Sequence, residues 1–155
     1  MKGNNVMIRT VKLDIRKGEY LSDALRRHGK ENIPTRVILN KVLPGLGATY
    51  CEIMSPRSSI IIEPNVPVIV GKMEKHKNLL GIYRGVKTDE VARHIRKYPG
   101  CCKIMVTPES FWKVKQAMED EGVDMYKDFF MLFDECEKII QDNDFRETIE
   151  APLDD

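Results

Sequence analysis

The sequence predicts an α/β fold, a mostly parallel sheet flanked by helices. Short, near-continuous apolar runs rich in β-branched residues recur along it, and segments with helical spacing separate them. The runs end on glycines, prolines and acids rather than alternating apolar with polar residues. A strand covered on both faces has this character, and parallel sheets need such cover because their crossovers lay helices on each side.

Residues 5–17 alternate in part and read as one or two strands. Residues 19–28 read as a short helix, with Tyr20, Leu21, Ala24 and Leu25 at helical spacing and Gly29 as its stop. Together they form an N-terminal extension, residues 1–36, ahead of a nucleotide-binding region over residues 37–155. That region opens with a β-branched strand at 37–42, which feeds the turn Pro44-Gly45-Leu46-Gly47-Ala48-Thr49. A second strand, 59–63, closes on Pro64-Asn65, and a third, 79–83, ends near Gly85. Residues 88–98 predict a helix with Thr88 as N-cap and Val91, Ile95 and Tyr98 on one face. A strand at 103–107 follows, then a helix from Pro108 to about Gly122 with Phe111, Val114, Lys115 and Met118 on one side. Phe111 and Trp112 are both expected in the core. The most apolar strand, 129–133, runs into Asp134-Glu135-Cys136-Glu137, and a last helix is expected to about residue 148.

Composition narrows the function classes. With 25 Lys+Arg against 24 Asp+Glu, the chain carries a formal charge of +1. That balance argues against a histone-like, charge-driven grip on DNA, though not against a local basic groove. The basic clusters around Arg26 and Arg93 read as solvated helix faces. No apolar run approaches the roughly 18 residues of a membrane span, and residues 1–5 lack the apolar stretch of a signal peptide. A cytoplasmic location with no membrane partner is the expectation. Cys51, Cys101, Cys102 and Cys136 form no C-x-x-C pair, and His28, His76 and His94 each stand alone. Reduced, partly buried thiols fit this spacing better than a zinc site.

Chemistry in such sheets collects beyond the carboxyl ends of the strands. The Gly45-Leu46-Gly47 turn can fold back with its N–H groups inward as an anion nest, and a helix starting near Thr49 would add its positive end. Thr49 then places a hydroxyl within reach of a Mg²⁺ ion on phosphates. Asp134 and Glu135 put two carboxylates at the mouth of a buried strand, where a metal held by Asp134 and a water polarised by Glu135 would compensate their charge. An ordinary glycine turn and an acidic helix start are the plainer readings of these two features.

In combination they resemble the first RecA-like lobe of the superfamily 2 helicases and translocases, whose ATPase sites are of the P-loop kind. The glycine loop after the first core strand, Ile60-Ile61-Ile62-Glu63-Pro64, the strand closing on Gly85, Thr107-Pro108-Glu109-Ser110-Phe111 and the acidic box at Asp134-Glu135-Cys136-Glu137 all occur in that family's order, over residues 37–138. The resemblance implies that Gly45, Leu46, Gly47, Ala48 and Thr49 bind the phosphates of ATP and that Thr49 and Asp134 hold Mg²⁺. It further implies that Glu135 orients the attacking water and that Pro64, Asn65, Thr107 and Pro108 line a nucleic-acid path. Implied partners are single-stranded or duplex DNA and a second ATPase lobe.

The sequence also departs from the family. Ala48 stands where the phosphate loop carries lysine, the loop is one residue short, and Glu137 replaces the usual His or Asp. The sequence stops before the Ser-Ala-Thr strand and the second lobe, so a truncated lobe is expected. Lys41, at the end of the loop-bearing strand, is a candidate to lend the missing charge. Slow hydrolysis of ATP follows, and a non-enzymatic interaction or nucleic-acid-binding module is the alternative.

Overall fold

The computed structural model describes residues 13–35 and 47–134, and the chain divides into two compact units, Met1–Cys51 and Glu52–Asp155. The strand expected at 37–42 with Lys41, the boundary at residue 36 and the helix after Glu137 lie outside the described residues.

In the first unit, helix α1 (Leu21–Arg27) buries Leu21, Ala24 and Leu25. The Asp23 carboxylate accepts from the Tyr20 N–H at 3.0 Å, satisfying a donor at the open helix start. Gly29, at φ 73°, ends the helix, and Lys30 N–H returns to the Leu25 carbonyl at 2.8 Å. Residues 13–16, expected in a strand, pair with nothing in a ladder and lead into a turn at Lys17-Gly18. Tyr20 is exposed, not on the buried face.

Helix α2 (Ala48–Ile53) spans the division between the units. The second unit holds the sheet: β1 (Ser59–Ile62), β2 (Leu79–Ile82), β3 (Lys103–Val106) and β4 (Phe130–Phe133), all parallel, in the order β2-β3-β1-β4. The α/β class and the parallel sheet are therefore as the sequence predicts. Every residue of β1 and β3 is buried, whereas β4 is half-buried throughout, Leu132 included.

Alternation splits the core in two. Ile60, Ile62, Ile82, Ile104 and Val106 pack with Val91 and Ile95 of α4 (Thr88–Lys97) and with Phe111, Val114 and Met118 of α5 (Phe111–Asp120). Ile61, Leu79 and Met105 pack on the opposite face with Ile69 and Met73 of α3 (Val66–Lys75). Helix α3 is absent from the sequence reading because Val66-Pro67-Val68-Ile69-Val70 combines β-branching with a proline. Here Pro67 occupies the first turn, where its missing N–H costs nothing. Two smaller shifts occur: Lys87, not Thr88, is the N-cap of α4, and Pro108–Ser110 form a 3₁₀ turn before α5. A short helix, α6 (Met125–Asp128), capped by the Asp124 carboxylate, leads into β4.

Phe111 is buried, but Trp112 is 58% exposed. One residue advances a helix by about 100°, so neighbours in the first turn of α5 cannot both face the sheet. Among the described residues no helix is long and apolar enough to cross a membrane.

Candidate functional site

A parallel sheet brings all its carboxyl ends to one edge. In the second unit the register sets Ile62 beside Phe133 on one side and Val106 on the other, with Ile82 beyond Val106. The hydrogen-bond ladder then runs one residue past each strand. Asp134 N–H donates to the Ile62 carbonyl at 2.9 Å, Glu63 N–H to Val106 at 2.9 Å, and Thr107 N–H to Ile82 at 3.1 Å. Asp134, Glu63 and Thr107 thus form one row across β4, β1 and β3. By the two-residue period they stand on the face of Leu132, Ile61 and Met105, which α3 covers.

Glu63 is 1% exposed. Its Oε1 accepts from the backbone N–H and the side-chain amide of Asn65, each at 3.1 Å, so Asn65 binds Glu63 instead of capping α3 with its side chain. Burial, followed by a hydrogen bond to the Asp134 carboxyl, pushes Glu63 up to about 8. Two ionised carboxylates only accept hydrogen bonds, so a proton must sit between this pair unless a cation replaces it. Thr107 is fully buried, and its hydroxyl has no hydrogen-bond partner among the described residues.

The remaining sequence-derived residues are placed as follows. Gly47, at φ 76°, precedes α2, and its carbonyl accepts from Cys51 N–H at 2.8 Å, the first bond of that helix. Ala48 is buried and Thr49 half-buried in the first turn of α2. Gly45, Leu46 and Glu135 lie outside the described residues. Pro64 and Asn65 are half-buried, and Pro108 is buried with Thr107. The structure therefore gathers Asn65, Thr107 and Asp134 around Glu63, a residue the sequence reading treats only as a strand end. The available signal was an acid closing a wholly apolar strand, the same signal that singles out Asp134.

No protein-family model, curated protein or solved structure matches the chain.

The chemistry open to the row is that of hard oxygen donors. Two carboxylates and a hydroxyl suit Mg²⁺, Mn²⁺ or Ca²⁺ rather than zinc or copper. Among the described residues no group of three or more His, Cys, Asp and Glu side chains is placed to hold a metal, so a cation here would complete its shell with water or phosphate oxygens. Cys51 and Cys102 are buried, and burial pushes the Cys102 thiol up to about 12, far from a reactive thiolate.

A second buried polar group lies at the opposite, amino edge. Lys103 is fully buried and donates to the Glu52 carbonyl at 2.8 Å and to the Ser55 and Ser59 hydroxyls at 2.9 Å each. Arg57 grips the Glu52 carboxylate through Nε at 2.9 Å and a terminal nitrogen at 2.7 Å, and its guanidinium lies 3.7 Å over the Phe130 ring. Burial works to raise the Glu52 carboxyl, but the hydrogen bonds from Arg57, Ser59 and Ser55 outweigh it and hold it below its ordinary value. With all three ammonium protons placed, Lys103 is a structural lysine with nothing left for a ligand.

Proposed function

We propose that this chain is a magnesium-nucleotide-binding lobe of a helicase-like, DNA-processing protein, and that it hydrolyses ATP slowly or not at all. The observation that carries this reading is the carboxyl pair of Glu63 and Asp134 at the carboxyl edge of adjacent parallel strands. Mg²⁺ is commonly held by one or two carboxylates plus the substrate's phosphates, and this pair matches that donor set. The family-ordered glycine turn and acidic box in the sequence add the rest: Gly45 to Thr49 as the phosphate cradle, Asp134 with Thr49 toward Mg²⁺, Glu135 toward water.

Bound Mg²⁺ would neutralise phosphate charge, and the backbone N–H groups of the glycine turn would hold the phosphate oxygens. Phosphoryl transfer needs positioning and stabilisation of charge developing on the γ-phosphate. Ala48 supplies no charge there, and the arginine of a second lobe, worth about 10³–10⁵ in rate in related systems, is not among the matched motifs. Weak binding and negligible turnover follow.

The buried methyl of Ala48 at the start of α2 favours one other reading, an α/β interaction module that retains the fold without the chemistry. A nucleotide titration alongside phosphate release, with and without single-stranded DNA, separates the two. Weak binding that Thr49→Ala or Asp134→Ala reduces, and Lys115→Ala does not, supports the nucleotide lobe. Turnover of about 1 s⁻¹ or faster, the range of competent enzymes, would show that the missing lysine is compensated. No binding at millimolar nucleotide would leave the interaction module.

A further inference from the structure

We propose that Glu63, Asp134 and Thr107 form a divalent-cation site of their own, selective for Mg²⁺ or Mn²⁺, with Glu63 a direct ligand. The inference deepens the reading above and rests on it for Asp134 as a ligand. What it adds is that the central strand, through Glu63, contributes as much to the cation as the acidic box does.

Three observations converge. Glu63 and Asp134 follow paired residues of adjacent strands, Ile62 and Phe133, and their carboxyls touch, so one ion between them could bind both. Independently, the Thr107 hydroxyl is a fully buried polar atom with no partner among the described residues, one position past β3 in the same row. A buried hydroxyl left unbonded costs on the order of 1–3 kcal/mol, and coordination by a lone-pair oxygen removes that cost. Its backbone is extended (φ −74°, ψ 152°), which keeps the alternation intact and sets its side chain on the face of Met105, as Glu63 is on the face of Ile61. Asn65 fixes the Glu63 carboxyl through one oxygen, leaving the other to meet the ion.

Chemistry selects the ligand. Two carboxylates balance a dication, all three donors are hard oxygens, and a three-donor set leaves positions open for water, as Mg²⁺ prefers. Ca²⁺ takes six to eight oxygens and would gain less from so few.

The experiment uses the whole 155-residue chain without nucleotide and titrates Mn²⁺ alone, reading free Mn²⁺ by electron paramagnetic resonance. One Mn²⁺ per chain is expected, competed by Mg²⁺. Glu63→Gln and Asp134→Asn should each weaken uptake by about tenfold or more, the scale of losing a member of a metal's hydrogen-bonded surroundings, and Thr107→Val should weaken it less. The control Glu109→Gln, at an exposed residue of the 3₁₀ turn, should change nothing. Glu63→Gln keeps the amide contact to Asn65 and sets a neutral group of the same size beside Asp134, so circular dichroism should show it folded.

No Mn²⁺ uptake at about millimolar concentration, or equal uptake by folded Glu63→Gln, would overturn the inference. Nucleotide binding that persists unchanged in Glu63→Gln would overturn it too while sparing the proposed function. Glu63-dependent Mn²⁺ uptake without any nucleotide binding would do the opposite.

Discussion

At the residue scale, Lys103 illustrates how a charged side chain is kept inside. It begins a strand whose other members are apolar, and residues 52–59 fold back over the amino edge to cover it. Its charge is met by three oxygens, and the Glu52 carboxylate of the same network is met by Arg57. Burial still pulls the Lys103 ammonium below its ordinary value. Lys103→Ala would take one donor each from the Glu52 carbonyl and the Ser55 and Ser59 hydroxyls, which keep their bonds to one another and to the Glu52 carboxylate, and would open a cavity. Truncating a large buried side chain to alanine costs about 2–5 kcal/mol, and a loss in that range is expected from urea denaturation at neutral pH. A loss below about 0.5 kcal/mol, the level of a neutral surface change, would mean that the network contributes specificity but little stability. None of this was visible in the sequence. A lysine flanking an apolar run ordinarily marks where a strand meets water, and only the tertiary path of residues 52–59 reverses that.

Elements fit by close approach as well as by apolar pattern. Helix α3 lies so near β2 that a Cβ placed on Gly81 would overlap the Met73 sulfur and the Ile69 Cγ2. The Met73 thioether can swing aside, but Ile69 is β-branched and fully buried. Gly81 has no need of its freedom in φ; it is small because the helix is close. Gly81→Ala is therefore expected to cost about 1–3 kcal/mol, as overpacked cores do, read as a lower midpoint in thermal unfolding. Unchanged stability would show that α3 can slide outward freely. At this scale the sequence was informative where pattern alone decides. The apolar runs at β1 to β4 and the helical spacing of α4 and α5 were legible because each is a local signal. Helix α3 was not, since its β-branched run imitates a strand and its proline imitates a break. The row of Glu63, Thr107 and Asp134 was half legible: the acid at Asp134 stood out, but which strands are neighbours is a property of the sheet.

Across the whole molecule, the order β2-β3-β1-β4 puts the two strands with wholly buried residues between the others and carries every strand end of the second unit to one edge. The polar chemistry of that unit is thereby polarised. A satisfied, charge-paired network holds the amino edge, and an acid pair with an unbonded hydroxyl holds the carboxyl edge, so a ligand would meet only one of them. The first turn of α5 gives the chain an optical property. Trp112 is the only tryptophan, and more than half of it is already in water in the native fold. Its indole emission should be red-shifted from the start and move little when the core melts. Thermal unfolding followed by tryptophan fluorescence should accordingly show a small amplitude beside a full loss of far-ultraviolet dichroism, whereas a large blue-shifted native band would place the indole indoors. What makes Trp112 a poor witness of the core makes it a sensitive one of the surface. Any molecule that settles beside the first turn of α5 will be seen as a change in colour without a label.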